Sequence, residues 1–273
     1  MPLHRLIAVD LDGTLLTNDK KVTDRTKETI RRYTAQGCML VPVTGRPLSG
    51  IPDDVIELAG NSYVVTMNGA EVFSLPDKKC IFASHIQSQT VLELLDVAEP
   101  FEKAGIELFC GGYGYVTEKY YQEVLGEFRN SPLYKYYAQS RKYVQSIRKF
   151  AQERNDIAEL AGFCTDTVEM DMLCQAVRKS SGVKVIRTAP EYVEIISENT
   201  DKGSALAYTA DSAGFARSEV IAFGDGANDI AMLEYAETSV AMANAANAVK
   251  SAAKCSTCTN EEDGVAEWLI ANV

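Results

Sequence analysis

Histidine is almost missing from this chain: His4 and His85 are the only two, and neither sits among polar neighbours. Imidazole is the usual acid–base group near neutral pH and a favoured metal ligand, so histidine-based catalysis and histidine-rich metal centres are set aside. No apolar run approaches the roughly 20 residues needed to cross a bilayer. The apolar stretch Leu6–Val9 gives way to Asp10 and Asp12, with neither the apolar region nor the cleavage site of a secretory signal. A cytoplasmic location is therefore expected. The seven cysteines are odd in number and scattered, which suits a reducing compartment better than a disulfide framework. Cys255 and Cys258 form one C-x-x-C, but no second pair completes the four ligands of a structural zinc. Positive charge is scarce, with 27 Lys and Arg against 38 Asp and Glu, a net charge of -11. An acidic surface repels nucleic-acid phosphates and anionic lipid, so neither is an expected partner. A small anionic substrate stays admissible, because a site follows its local field.

What is present is the patterning of a soluble α/β protein, 46% apolar and 24% charged. Its 273 residues suit one main domain with a smaller one inserted. Five short apolar runs read as strands: Leu6–Val9, Met39–Val43, Tyr63–Val65, Val220–Phe223 and Ser239–Met242. They show little polar alternation, as in strands buried on both faces of a parallel sheet covered by helices. Pro42 is awkward in such a strand, since it cannot donate to the ladder. Between the runs, Thr23 or Asp24 caps a predicted helix that runs to Gln36 and stops at Gly37. Further helices are expected over Asn228–Ala236 and Asp263–Ala271. The middle differs, with predicted helices over Ser88–Lys103, Tyr143–Arg154 and Thr167–Lys179, and with eight of the thirteen tyrosines between Tyr113 and Tyr143. The expected organisation is a Rossmann-like core from residues 1–84 and 191–273, with an α/β domain of residues 85–190 inserted.

The chemistry collects where the apolar runs end. The first ends in Asp10-Leu11-Asp12-Gly13-Thr14, the second in Thr44-Gly45-Arg46, and the fourth in Gly224-Asp225-Gly226-Ala227-Asn228-Asp229. Ligands of parallel α/β sheets bind outside the carboxyl ends of the strands, so these clusters would converge. Asp201-Lys202-Gly203 adds a fourth polar element at the start of a helix. Gathered unpaired, Asp10, Asp12, Asp225 and Asp229 would raise one another's pKa values. A hard divalent cation resolves the repulsion, and an open oxygen-ligand site favours Mg²⁺. A carboxylate nucleophile, Mg²⁺, a lysine and close-approaching glycine backbones form a phosphoryl-transfer set.

These four motifs, in this order, resemble those of the haloacid dehalogenase superfamily. The insertion between the second and third motifs resembles the type IIB cap of the Cof-type sugar phosphatases. Asn68-Gly69-Ala70 and Glu261-Glu262-Asp263-Gly264-Val265-Ala266 match that group as well. The resemblance implies a phosphatase acting on a small phosphorylated metabolite such as a sugar phosphate. Asp10 would be the nucleophile and a metal ligand. Asp12 would protonate the leaving oxygen and then activate water, its carbonyl also binding the metal. Thr44, Gly45, Lys202 and Asn228 would hold the phosphoryl group, with Lys202 also orienting Asp10. Asp225 would complete the metal site, with Asp229 at or just behind it. Asp201 stands where the group often has a small residue, and it suits a helix cap. The inserted cap would exclude water and select the leaving group. A phosphomutase on the same core and a silent sensor of phosphorylated metabolites are the alternatives. An ion-pump domain is set aside, because Asp10 is not followed by Lys-Thr-Gly.

Plainer readings attach to several of these residues. Arg46 either contacts substrate or pairs with an acidic neighbour. Asn68-Gly69 reads as a type I′ turn. The tyrosines stack on a sugar, line a subunit contact or form a half-buried surface, and Lys119, Lys135, Arg141 and Lys142 read either as contacts to a substrate's charged distal end or, the plainer reading, as a solvated face.

Overall fold

The computed structural model describes residues 5–273, so His4 lies outside the described residues. The chain packs as two compact units, one of residues 1–46, 51–82 and 201–273, the other of residues 47–50 and 83–200.

The first unit is built on a five-stranded sheet, ordered Cys255–Ser256, Thr238–Ala241, Val220–Gly224, Leu6–Val9 and Met39–Pro42. All of its pairings are parallel. Leu6, Ile7, Ala8 and Val9 are wholly buried, which is why their run lacks polar alternation. The strand at Leu6–Val9 has Val220–Gly224 on one side and Met39–Pro42 on the other, so the strand order reverses beside it. That reversal opens the crevice in which doubly wound sheets bind ligands.

Pro42 is accommodated by parity. Met39 and Val43 direct their N–H groups to Arg5 and Val9 of the neighbouring strand, so the nitrogen of Pro42 faces away from that ladder. The run at Tyr63–Thr66 departs from expectation. It forms an antiparallel three-stranded sheet with Glu71–Ser74 and Lys79–Ala83, and meets the parallel sheet through a single parallel bridge, between Val43 and Val65, among the described residues. The cause is the Asn68-Gly69 turn, which folds the run back as a hairpin. Ala70 N–H donates to Met67 O at 3.0 Å, and φ is positive at Asn68 and Gly69, as type I′ requires.

The helix ends follow side-chain caps. Thr23 Oγ1 accepts from Thr26 N–H and starts helix Asp24–Ala35. Asp201 Oδ1 accepts from Ser204 N–H and starts Lys202–Ser212. Such caps each contribute about 1 kcal/mol. Several predicted helices come out shorter. Ser88–Ala98 stops before Pro100, which cannot continue a helix. Residues Arg141–Tyr143 are a strand, and the helix there is Ile147–Gln152, capped by Ser146. The helix predicted from Asn228 begins as a 3₁₀ turn at Ala227–Asp229 before Ile230–Tyr235.

The second unit holds a six-stranded sheet, ordered Val183–Ala189, Tyr192–Ser197, Glu159–Phe163, Gly105–Cys110, Tyr113–Val116 and Arg141–Tyr143. Leu94, Leu108, Leu160, Leu173 and Ile195 form its main core. A second cluster gathers Tyr120, Tyr121, Tyr137 and Phe163, so part of the tyrosine-rich stretch is interior. Arg141 corrects the reading of a solvated face. It is buried, pairs with buried Glu107 at 2.8 Å and lies over the rings of Phe109 and Tyr137. Lys119, Lys135 and Lys142 are exposed.

Candidate active site

Strand Leu6–Val9 runs directly into Asp10, whose N–H donates to Phe223 O at 3.1 Å and extends the ladder by one residue. The chain then turns back, with Leu15 and Leu16 N–H donating to the carbonyls of Asp10 and Leu11. Gly13 makes this turn at φ +86, and a Cβ there would lie 2.4 Å from Asp225 Oδ2. Only glycine satisfies both the backbone and the contact.

Lys202 is 1% exposed. Its Nζ donates to Asp10 Oδ1 and to Asp229 Oδ1, both at 2.6 Å. Asp229 uses its other oxygen to accept from the N–H groups of Asp225 and Gly226, at 2.9 and 2.8 Å. Asp225 Oδ1 accepts from Thr14 Oγ1 at 2.8 Å, and its Oδ2 from Asn244 Nδ2 at 3.3 Å. Asp10, Lys202, Asp225 and Asp229 thus form one connected group across the switch point.

The electrostatics are unbalanced. Burial, then the charge of Asp229, raise Asp10 well above the usual carboxylate range, against the pull of Lys202. Burial pushes Asp225 up to about 6, with Thr14 opposing and Asp229 reinforcing. Burial disfavours the Lys202 ammonium, but Asp10 and Asp229 outweigh it and hold the proton. Three carboxylates against one ammonium would leave two negative charges in a buried place, which a divalent cation matches. Asp10, Asp225 and Asp229 each offer an oxygen, all within 4.8 Å of one another. An all-oxygen set of this kind fits a hard cation. Asp229 is the least available of the three, since Lys202 and two N–H groups already hold its oxygens.

Asp12 stands apart from that group. Arg46 grips it with Nε and Nη2, each at 2.7 Å, and Lys20 adds a contact at 2.8 Å. Burial pushes Asp12 up, but the hydrogen bonds and charges of Arg46 and Lys20 outweigh it and hold the group at about 2. Of the two readings of Arg46, the structure displays the acidic pairing. Thr44 Oγ1 accepts from Arg46 N–H at 3.1 Å. Asn228 Nδ2 donates to Asn68 Oδ1 at 2.9 Å, and Asn68 lies against Gly45. Thr44, Gly45 and Asn228 are therefore gathered through Asn68.

Residues that the sequence reading passed over complete the surroundings. Asn244 Nδ2 also donates to Gly13 O at 2.8 Å, while its Oδ1 accepts from Asn260 N–H. Asn260 Nδ2 donates to Leu16 O, so the 13–16 turn is held from two sides. Lys20 and Asn244 lie in loops and Asn260 opens the 3₁₀ turn Asn260–Glu262, none of them in a pattern that marks a site. The match of the 261–266 segment to a family pattern was the one hint that this end of the chain approaches the site.

Residues 7–269 match the family model of the haloacid dehalogenase-like hydrolases. The chain is 28% identical over 274 residues to 5-amino-6-(5-phospho-D-ribitylamino)uracil phosphatase YcsE of Bacillus subtilis, covering 97% of this chain and 96% of the relative. It is 28% identical over 277 residues to pyridoxal phosphate phosphatase YbhA of Escherichia coli, covering 98% of each. A crystal structure of a haloacid dehalogenase-like hydrolase from Bacteroides thetaiotaomicron superposes with a TM-score of 0.84 at 27% identity, over 99% of this chain and 100% of that one.

Proposed function

Since the chain belongs to the haloacid dehalogenase-like hydrolases and is a phosphatase of that family, we propose that it hydrolyses small phosphate monoesters through a phosphoaspartate on Asp10, with Mg²⁺ as cofactor. The observation that carries this reading is the buried Asp10–Lys202–Asp229 group, with Asp225 beside it and excess negative charge within it.

Asp10 attacks phosphorus with one carboxylate oxygen as the ester oxygen departs. Lys202 holds Asp10 in place and faces the equatorial oxygens, which Thr44, Gly45 and Asn228 also receive. Asp12 gives a proton to the leaving oxygen and afterwards takes one from the attacking water. Held by Arg46 and Lys20 it is a carboxylate suited to the second task; to serve as acid it must first exchange those partners for the leaving group. Asp10, the Asp12 carbonyl and Asp225 would hold Mg²⁺, with Asp229 behind them. The ion, when bound, neutralises charge on the phosphoryl oxygens. The segment 85–190 is proposed as the cap that selects the leaving group. Sugar phosphates, pyridoxal phosphate and phosphorylated ribityl compounds are the substrate classes to try. Arg46 would reach substrate only after releasing Asp12.

Phosphate release from a panel of these esters, with and without Mg²⁺, tests the reading. Mg²⁺-dependent turnover of at least one ester is expected. Binding of phosphate esters without release would favour the sensor, and transfer of the phosphoryl group to a second sugar would favour the mutase.

A pH dependence follows. Protonation of Asp225 removes a ligand charge, so protons compete with the cation below about pH 6. The Mg²⁺ dissociation constant measured by calorimetry is expected to rise as pH falls from 7.5 to 5, approaching about tenfold per unit. Affinity constant across that range would mean that Asp225 either does not bind the ion or is not raised to about 6.

A further inference from the structure

The turn at Met67–Ala70 does more than reverse a hairpin. Met67 and Asn68 both have positive φ, 49 and 54, a conformation that side-chain-bearing residues rarely adopt. An N-G turn that only joins two strands sits at an exposed tip, whereas Asn68 is 1% exposed. Its backbone supports the second motif: Asn68 N–H donates to Thr44 O at 3.1 Å, and Met67 N–H to Arg46 O at 3.3 Å. Its side chain reaches the fourth motif, accepting from Asn228 Nδ2 across 160 residues of sequence. The same amide fills the space a Cβ would need at Gly45, its oxygen 3.1 Å from that position. The turn also meets the third motif. A Cβ on Gly69 would lie 2.2 Å from the carbonyl oxygen of Asp201, immediately before Lys202.

We infer that Asn68 is a positioning residue for phosphoryl transfer: it fixes the Asn228 carboxamide and the Gly45 backbone against one another so that both address the same phosphoryl oxygens. The inference rests on the function proposed above. A carboxamide has a free torsion at its end, and the bond from Asn228 to Asn68 sets that torsion before substrate arrives. Groups aligned beforehand contribute most where charge develops in the transition state. The left-handed backbone aims the side chain inward, and asparagine is among the few residues with a side chain that tolerate it.

Asn68→Gly separates this role from a structural one, because glycine adopts the same backbone without strain and loses only the amide. The assay measures kcat and KM for p-nitrophenyl phosphate, inhibition by orthovanadate, the Mg²⁺ activation constant and the melting temperature. The inference expects kcat to fall, and the vanadate inhibition constant to rise, by about tenfold to a hundredfold, in line with a small misplacement of positioned groups. The Mg²⁺ constant should stay within about twofold, since no carboxylate is replaced, and the melting temperature should fall by only a few degrees, the cost of one lost buried hydrogen bond. In combination with Asn228→Ala, Asn68→Gly should add little further loss, since residues acting as one unit are not additive. Native-like kcat and vanadate inhibition in Asn68→Gly, or full additivity with Asn228→Ala, overturns the inference while leaving the phosphatase reading intact. A native protein that neither releases phosphate nor binds vanadate overturns both.

Discussion

Asp10→Asn is expected to remove phosphate release by at least about 10⁴-fold while leaving the protein folded and, without divalent cation, no less stable. An amide is not a nucleophile at this step, and losing the attacking group costs an enzyme nearly all of its chemical advantage. The stability half follows from the sign of the pKa shift. Asp10 is raised well above its ordinary value, first by burial and then by Asp229, so its ionised form is disfavoured in the folded state. A carboxyl raised on folding binds more protons folded than unfolded, and stability falls as pH climbs above the ordinary value toward the folded one. Asparagine removes that burden and keeps an oxygen for Lys202 Nζ, now 2.6 Å from Asp10 Oδ1. Thermal melting in chelator should therefore place the variant at or above the native protein, and added Mg²⁺ should raise the native protein more than the variant. Surviving turnover would exclude Asp10 as the nucleophile. A large drop in melting would mean that attraction to Lys202 outweighs the repulsion.

In the second unit, Arg141→Ala is expected to cost about 3–5 kcal/mol, a large share of the roughly 5–15 kcal/mol that holds a domain together. Arg141 Nη2 lies 2.8 Å from Glu107 Oε2, and the two side chains are 1% and 0% exposed. Glu107 Oε1 also accepts from Tyr137 O–H at 3.0 Å, and Arg141 Nη1 donates to Ser140 Oγ. Truncating the arginine strands a carboxylate where water cannot reach it. It also removes a guanidinium lying over Phe109 and Tyr137, at 4.8 and 4.5 Å from the ring centroids. Replacing both partners with apolar residues, Glu107→Leu with Arg141→Met, should recover most of the loss, because no buried charge is left alone. Urea unfolding of the two variants separates the cases. A cost below about 1 kcal/mol for Arg141→Ala would mean that water enters to solvate Glu107.

How much of this could be read beforehand depended on whether a residue belonged to a repeating pattern. Buried parallel strands announce themselves as apolar runs, and their carboxyl ends mark where Asp10, Thr44 and Asp225 stand. The antiparallel return at Glu71–Ser74 was signalled only by the Asn68-Gly69 turn, because the run before it carries the same apolar signal as a parallel strand. Arg141 reads as solvated because it stands in the sequence among lysines that are. It opens a three-residue strand whose other two residues are exposed, and its burial comes from pairing with Glu107, 34 residues earlier in the chain. The grip of Arg46 on Asp12, and that of Asn244 on Gly13, join residues far apart in the sequence, and nothing local encodes them; Lys20 reaches Asp12 from the same loop.

The strand bearing Asp10 is laid between Met39–Pro42 and Val220–Gly224. During synthesis at about 5–20 residues per second, the nucleophile leaves the ribosome on the order of 10–40 seconds before the strand that supplies Asp225 and Asp229. For most of that interval a nascent chain carries Asp10 without Lys202, and for all of it without Asp225 and Asp229. The reactive set is completed late in translation, so an incomplete chain released by the ribosome would meet cellular phosphate esters without the means to cleave them.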